Sequence, residues 1–128
     1  MNAMKIYTMI VVIALFSNVS SANAEVRQYF QCKLAEGRTI TEYHALESEW
    51  RDAIAAAGFT EYTNSLLIPV GNDEFPEGTF FWEAIAPSTE HIAAVMTWYA
   101  ESDQGKALMA RFQAAGPCEQ PTNWEVSE

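Results

Sequence analysis

The stretch "FFWEAIAPSTEHIAAVMTWYA", residues 80 to 100, decides the fold, because it joins an aromatic strand to a helix through one short connection. Its strand belongs to "TFFWEAIA" at 79–86, where aromatic and small apolar residues favour β structure. "PST" then starts a helix that is predicted to run from about Thr89 to Ala100. The apolar residues of that helix recur at helical spacing: Ile92, Val95, Met96 and Tyr99.

The strand at 79–86 is apolar on both faces. Its even-numbered residues point to one side, and they are Phe80, Trp82, Ala84 and Ala86. Its odd-numbered residues Phe81, Glu83 and Ile85 point to the other. A face of an antiparallel sheet that meets water is usually polar, so this pattern predicts that both faces of the sheet are covered.

The remaining elements give a β-α-β-β-α-β order. Strands are predicted at 26–34, 59–70, 79–86 and 122–126. The first helix starts at Thr39 or Thr41 and runs to about Ala57, with Gly58 as its stop. The second helix has a weak point at "ESDQG" (101–105), where it bends or breaks, and resumes over 106–115. This order predicts an α+β, ferredoxin-like domain: an antiparallel sheet in the order 4-1-3-2 with two helices on one face.

The two cysteines, Cys32 and Cys118, test this topology independently. In the predicted sheet the first and fourth strands are antiparallel neighbours. Cys32 is near the end of the first and Cys118 near the start of the fourth, so the two should meet as a disulfide. A metal site is not expected, because two Cys and two scattered His lack zinc-like spacing.

The N-terminus predicts export. Lys5 supplies a positive charge, residues 6–16 form an uncharged apolar run, and Ala22-Asn23-Ala24 fits a cleavage site. Residues 1–24 are therefore predicted to be a signal peptide, with Met1 or Met4 as the start and an uncleaved anchor as the alternative. A single domain at 25–128 would then be periplasmic or secreted.

The composition of residues 25–128 disfavours two classes of partner. Six Lys and Arg stand against 17 Asp and Glu, so the net charge is near −11. Such a chain repels phosphate backbones and anionic membrane surfaces, and it has no basic patch. We therefore expect no nucleic-acid partner, and no membrane partner once the signal peptide is removed.

The element order and the two-faced sheet resemble the dimeric α/β-barrel superfamily. This group includes antibiotic-biosynthesis-type monooxygenases, stress-responsive barrel proteins, polyketide cyclases and NIPSNAP-like proteins. The resemblance covers nearly all of residues 25–128 and implies a homodimer in which the sheets face each other. It also implies a small pocket between sheet and helices in each subunit. The superfamily is functionally diverse, so the resemblance does not specify a reaction.

The resemblance suggests a first candidate site, formed by Trp82, His91 and Asn64. In the haem-degrading branch of these monooxygenases, an Asn, a Trp and a His line the pocket, and the His ligates the iron. Trp82 and His91 occupy similar relative positions here. The family's Asn lies on the first strand, however, where this chain has Gln28 and Gln31. The alternative is that His91 is an ordinary, partly exposed residue and that no cofactor is bound.

A second candidate site lies on the other face of the sheet. Arg27, Tyr29, Gln31 and Glu83 could line a wet barrel interior and bind a polar ligand there. Tyr29 or Glu83 would act as a proton acceptor if burial shifted its pKa. The alternative is a set of hydrogen bonds at a dimer interface.

Two functional hypotheses follow. The first is an exported, disulfide-bonded homodimer with a binding or structural role. The second is a cofactor-independent or haem-linked monooxygenase, or a related cyclase or isomerase. A ligand-sized cavity between sheet and helices, with His91 or Glu83 pointing into it, would favour the enzyme.

Overall fold

The computed structural model describes residues 24–71 and 74–127, so the predicted signal peptide lies outside the described residues, except for Ala24. The elements follow in the order β1 (Val26–Lys33), α1 (Ile40–Ala56), β2 (Thr63–Leu67), β3 (Thr79–Ala86), α2 (Thr89–Glu101), α3 (Asp103–Ala115) and β4 (Thr122–Glu125). None of these described helices is long and apolar enough to span a bilayer.

The four strands form one antiparallel sheet in the order β2-β3-β1-β4, which confirms the ferredoxin-like α+β fold. The central pair β1–β3 sets the register, with Phe30 opposite Trp82 and Tyr29 opposite Glu83. The predicted bounds of β3 agree with the structure, whereas β2 spans five residues instead of the predicted 59–70. Residues 59–62 instead turn out of α1, and the sheet pairing ends at Leu67, two residues before Pro69.

Three helices cover one face of the sheet, not the predicted two. Thr39 caps α1, because its hydroxyl accepts a hydrogen bond from the Glu42 N–H at 3.2 Å. The weak point at "ESDQG" is a full break. Ser102 is extended (φ −76°, ψ 151°), and its hydroxyl accepts from the Gly105 N–H at 2.9 Å. Ser102 therefore ends α2 and caps α3 in a single residue, which redirects the chain.

The core lies between the three helices and the sheet. The even-numbered residues of β3 are almost completely buried, as predicted. The ring centroids of Trp50 in α1 and Trp82 are 5.8 Å apart, and those of Tyr43 and Phe80 are 4.5 Å apart. These edge-on contacts place most of the aromatic surface in one layer between helix and sheet.

The Cys32–Cys118 disulfide is present, as predicted from the topology. The two cysteines also form an isolated antiparallel bridge between the end of β1 and the segment that leads into β4. The Lys33 N–H donates to the Pro117 carbonyl and the Glu119 N–H to the Gln31 carbonyl on either side of it. The disulfide and these hydrogen bonds fix the segment 116–121 against the sheet.

The α2–α3 junction depends on a close approach at Gly105. A Cβ atom there would lie 2.5 Å from the Tyr99 carbonyl oxygen and 2.7 Å from that of Trp98. Only glycine allows the first turn of α3 to sit this close to the last turn of α2.

We predict that Gly105→Ala destabilises the protein, although Ala normally stabilises a helix by about 1 kcal/mol relative to Gly. The contact with two backbone oxygens should cost about 1–3 kcal/mol and outweigh that gain. Chemical denaturation of both proteins measures the difference. Gln104→Ala, at an exposed position in the same turn, is the control and should change stability little. A Gly105→Ala protein as stable as the parent would contradict the close approach.

Candidate functional site

A cavity of about 620 Å³, open to solvent on one side, lies between the sheet and the helices. The sheet contributes Gln28, Phe30 and Trp82, and the segment that the disulfide holds contributes residues 116–121. The helices contribute Tyr43, Trp50, Ile92, Ala93, Met96, Tyr99, Met109 and Phe112. Its volume is within the range typical of small-molecule sites.

The inner wall of the cavity is aromatic and rigid. Trp50 contacts Tyr62 and Tyr99 edge-on, with ring centroids at 5.8 and 5.1 Å. The Trp82 indole N–H donates a hydrogen bond to the Tyr62 hydroxyl at 3.2 Å, which fixes both rings. Phe112 of α3 also belongs to this cluster, with its ring centroid 5.5 Å from that of Trp82.

Two residues of this wall carry buried polar atoms without a hydrogen-bond partner. Gln28 is 1% exposed, and its side-chain oxygen Oε1 accepts no hydrogen bond. Trp50 is 2% exposed, and its indole Nε1–H has no acceptor. An unpaired buried polar group normally costs about 1–3 kcal/mol, so such groups are uncommon.

The cavity is nearly uncharged. Among the described residues that line it, only Glu119 carries a formal charge, and Glu119 is exposed. Burial raises the pKa of Tyr99 to about 12 and raises the pKa of Tyr43 and of Tyr62 even more. All three phenols are therefore neutral at physiological pH, and none of them provides a phenolate base.

The structure places only one residue of the first candidate site in the cavity, namely Trp82. The His91 ring lies outside it, with its centroid 5.7 Å from that of Phe59, and its buried Nε2 has no partner. The His91 backbone N–H donates to the Ser88 hydroxyl at 3.1 Å, so this residue belongs to the capped first turn of α2.

Asn64 also lies outside the cavity, in a polar cluster between β2 and α1. Its amide Nδ2 donates to the Glu47 carboxylate at 2.6 Å. Arg51 lies 2.9 Å from the same carboxylate and His44 lies 3.1 Å from it. Glu47 is 2% exposed, so this cluster pairs a buried charge and fastens α1 to the sheet edge.

The second candidate site is only partly assembled. Tyr29 and Glu83 face each other across β1 and β3, and the Tyr29 hydroxyl donates to the Glu83 carboxylate at 2.6 Å. This hydrogen bond raises the pKa of Tyr29, which disfavours the phenolate. Arg27 interacts with Tyr29, which raises the pKa of Arg27, and it also approaches Glu25 at 3.4 Å. Gln31 lies opposite Phe81.

These residues belong to the sheet face that the helices leave uncovered, here called the open face. Its central row is polar and runs Ser65, Glu83, Tyr29, Thr122 across the four strands. The rows on either side hold the large apolar residues Leu67, Phe81, Ile85 and Trp124. Leu67 is 40% exposed and Trp124 60% exposed.

Sequence reasoning missed Gln28 and the segment 116–121 as parts of a site. A signal for Gln28 existed, because it has the parity of Val26 and Phe30 and so falls on the buried side of its strand. A polar residue at a buried strand position is unusual and can indicate a functional site. The segment 116–121 carries no motif, and only the disulfide and the chain path bring it to the cavity.

Comparison with known proteins shows a shared fold. No protein-family model matches the chain, and no curated protein matches its sequence. A solved structure of a point variant of SnoaB, a cofactor-independent oxygenase from Streptomyces nogalater, superposes with a TM-score of 0.57. The two sequences are 10% identical, and the alignment covers 82% of this chain and 95% of the SnoaB chain.

Two further structures have the same fold. A hypothetical protein of Arabidopsis thaliana has a TM-score of 0.56 and is 12% identical, covering 88% of this chain and 95% of its own. A NIPSNAP family protein of Agrobacterium tumefaciens has a TM-score of 0.54 and is 17% identical over 81% and 85% of the two chains. The resemblance to this group is therefore confirmed at the level of the fold, and at these identities it does not extend to an activity.

We predict that the tyrosines of residues 25–128 do not ionise in the folded protein near the ordinary pKa of 10.0. A raised pKa leaves the phenol neutral in the folded state while the unfolded chain ionises. The free energy of unfolding should therefore be unaffected below pH 10 and should fall as the pH rises towards 12, where Tyr99 titrates. Tyrosinate absorbance against pH, in native buffer and in denaturant, measures both states. A phenol that titrates near neutral pH would contradict the prediction and would supply a catalytic base.

Proposed function

We propose that this is an exported, homodimeric protein that binds a small, largely apolar molecule in the cavity between sheet and helices. The observation that supports binding is the cavity itself: about 620 Å³ beside an otherwise tightly packed aromatic core. The pocket is open to solvent and lined mainly by apolar side chains, so a ligand that displaced water from it would bury apolar surface.

Export is supported by the disulfide in the fold and by the signal-peptide pattern of residues 1–24. Disulfides form and persist in oxidising compartments such as the periplasm or the extracellular space. Residues 25–128 then form the mature domain.

An oxygenase is the alternative, and the fold shared with SnoaB favours it. A cofactor-independent oxygenation needs a group that removes a proton from the substrate and so activates it for reaction with dioxygen. The phenols in the cavity are neutral, and the only carboxylate among the described lining residues is the exposed Glu119. We therefore rank binding above catalysis.

The residues of the cavity do not fit haem ligation by His91. An axial ligand must point its ring nitrogen at the iron, whereas the His91 ring packs on Phe59 outside the cavity. Asn64, the other polar residue of that hypothesis, donates to Glu47. No step of the proposed function involves haem.

We predict that Ala93→Trp abolishes ligand binding and that Ala94→Trp does not. Both alanines are exposed on α2, but only Ala93 lines the cavity, so an indole at 93 competes with the ligand for space. The three mature proteins, purified from an exporting host, would be compared by native mass spectrometry and by analysis of solvent extracts. A small molecule lost only from Ala93→Trp supports the proposal. If the parent and both variants retain the same molecule, the binding site lies elsewhere. If none of the three proteins carries a molecule, each is titrated with bicyclic aromatic probes.

The homodimer is supported by the composition of the open face. Although the mature chain has a net charge near −11, the described strands place one acid, Glu83, on this face, and Tyr29 donates to it. Arg27, two residues along β1, is paired with Glu25. Charge repulsion between two copies across this face is therefore small, and the flanking apolar rows supply surface that is buried on association.

We predict that Leu67→Arg combined with Trp124→Arg converts a dimer into a monomer. Both residues are on the open face, and their exposure means that the subunit fold tolerates the changes. Val70→Arg, at a site that is 88% exposed in the loop beyond β2, is the matched control and should remain dimeric. Light scattering after size-exclusion chromatography measures the mass. A parent protein that is already monomeric would overturn the homodimer.

A further inference from the structure

The disulfide joins two parts of the fold that differ sharply in burial. Cys32 belongs to the core and is 2% exposed, whereas Cys118 is exposed and lines the cavity. A thiol in solvent can therefore approach the bond from the Cys118 side and not from the Cys32 side. Exposure of this kind distinguishes cysteines that react from those that are inert.

Cys118 belongs to residues 117–121, here called the latch segment, which lie between α3 and β4. All five residues of the latch segment line the cavity, and four of them are exposed. Pro117 and Pro121 have no backbone N–H with which to extend the β4 ladder along β1. The pairing of the latch segment with β1 is an isolated bridge between Cys118 and Cys32.

The other ties between the latch segment and the sheet are easily opened. The Lys33 N–H donates to the Pro117 carbonyl at 3.1 Å, and the Glu119 N–H donates to the Gln31 carbonyl at 2.8 Å. Backbone hydrogen bonds of an exposed segment compete with water and have low local stability. The latch segment has no buried side chain, and the core cluster consists of residues within 26–115. Release of the latch segment would therefore leave the core in place.

We infer that the Cys32–Cys118 disulfide is a site of thiol–disulfide exchange, attacked at Cys118 by a dithiol, and that its reduction frees the latch segment and opens this wall of the cavity. The inference rests on the proposed function, since opening the wall has a consequence only if the cavity holds a molecule. A bound molecule then leaves the reduced protein faster than the oxidised protein. The redox state of the surroundings thus sets how long the cavity retains its ligand.

The exchange takes place in two steps. A thiolate of the dithiol attacks Cys118 Sγ and forms a mixed disulfide, while the Cys32 sulfur leaves as a thiolate and takes a proton from water. The second thiolate of the dithiol then attacks the dithiol's own first sulfur, which closes an internal disulfide and releases Cys118 as a thiolate. The Tyr43 hydroxyl lies 3.6 Å from Cys118 Sγ and can donate a hydrogen bond to that thiolate. The dithiol is oxidised by two electrons, and the protein disulfide is reduced by the same two.

The first experiment measures release in the oxidised mature protein, residues 25–128. Dithiothreitol is added in native buffer, and mass spectrometry confirms that both cysteines are reduced. Amide exchange with solvent is then followed residue by residue by two-dimensional proton–nitrogen NMR. The Glu119 amide should exchange about tenfold or more faster after reduction, because the crosslink beside its hydrogen bond is gone. The amides that pair β1 with β3 should exchange at unchanged rates.

Two single variants identify the sulfur that solvent reaches. Cys32→Ala leaves Cys118 as the free thiol, and Cys118→Ser leaves Cys32. A pyridyl disulfide reagent should label Cys32→Ala about tenfold or more faster than Cys118→Ser. Equal rates, or faster labelling of Cys118→Ser, would contradict attack at Cys118. If either variant does not fold, the parent protein decides, because a disulfide that dithiothreitol reduces only in denaturant would overturn the inference.

The second experiment measures escape from the cavity with N-phenyl-1-naphthylamine, a neutral apolar probe whose fluorescence rises on binding. Stopped-flow fluorescence should show dissociation about tenfold or more faster from the reduced than from the oxidised protein. The double variant with Cys32→Ala and Cys118→Ser is the control for the reductant. It should release the probe as fast as the reduced parent, both with and without dithiothreitol.

The outcomes separate this inference from the proposed function. If the probe binds but leaves both forms equally fast, or if the Glu119 amide exchanges at the same rate in both, the cavity is a binding site and the inference is wrong. Loss of protection throughout β1 and β3 on reduction would make the disulfide a structural crosslink of the whole domain and would also overturn the inference. If the probe binds neither form and no molecule is extracted from the protein, the proposed binding function fails, and the inference fails with it.

Discussion

The structure depends on one strand that is paired along both edges and carries large apolar residues on both faces. β3 pairs with β1 on one side and with β2 on the other, so its backbone is satisfied within the sheet. Its even-numbered side chains pack under the helices and are at most 7% exposed. Its odd-numbered residues Phe81 and Ile85 are only half-buried, on the open face. The position of the cavity and the presence of the open face both follow from this strand, because one of its faces builds the aromatic wall and the helices leave the other uncovered.

Much of the fold could be predicted because the spacing of apolar residues and the capping residues along the chain indicate the helices and strands. The alternation in β3, the Thr39 cap and the apolar stripe of α1 each depend on neighbours in sequence, and each agrees with the structure. The disulfide could be predicted because topology alone brings Cys32 to Cys118. The error in β2 concerns its termination. β2 is shorter than its composition indicates, since pairing with β3 rather than β propensity sets its length. Of the two outcomes predicted at "ESDQG", a bend or a break, the structure shows the break, because Ser102 caps the next helix.

The candidate site could be predicted only in part, for a different physical reason. A cavity is space that no side chain fills, and a sequence does not show which space is left empty. Trp82 was selected by resemblance, and it lines the cavity because it is a large residue on the buried face of β3. His91 and Asn64 were selected by resemblance, and their surroundings differ: His91 packs on Phe59, and Asn64 supports a buried Glu47. Gln28 and Trp50 matter because of atoms that lack partners, and this property exists only once all neighbours are in place.

The energetics of the cavity argue that it is retained for use. A leucine at position 28 would remove an unpaired buried oxygen, and a larger residue at 93 or 109 would fill space at the cavity wall. Both kinds of change commonly stabilise proteins, whereas residues that prepare a binding site often reduce stability. Elsewhere Glu47 has three partners and the Trp82 indole bonds to Tyr62, although Asn64 Oδ1 and His91 Nε2 also lack partners. A fold that pairs a buried carboxylate with three partners, yet leaves an open apolar cavity beside its aromatic core, keeps a surface on which a bound molecule can be buried.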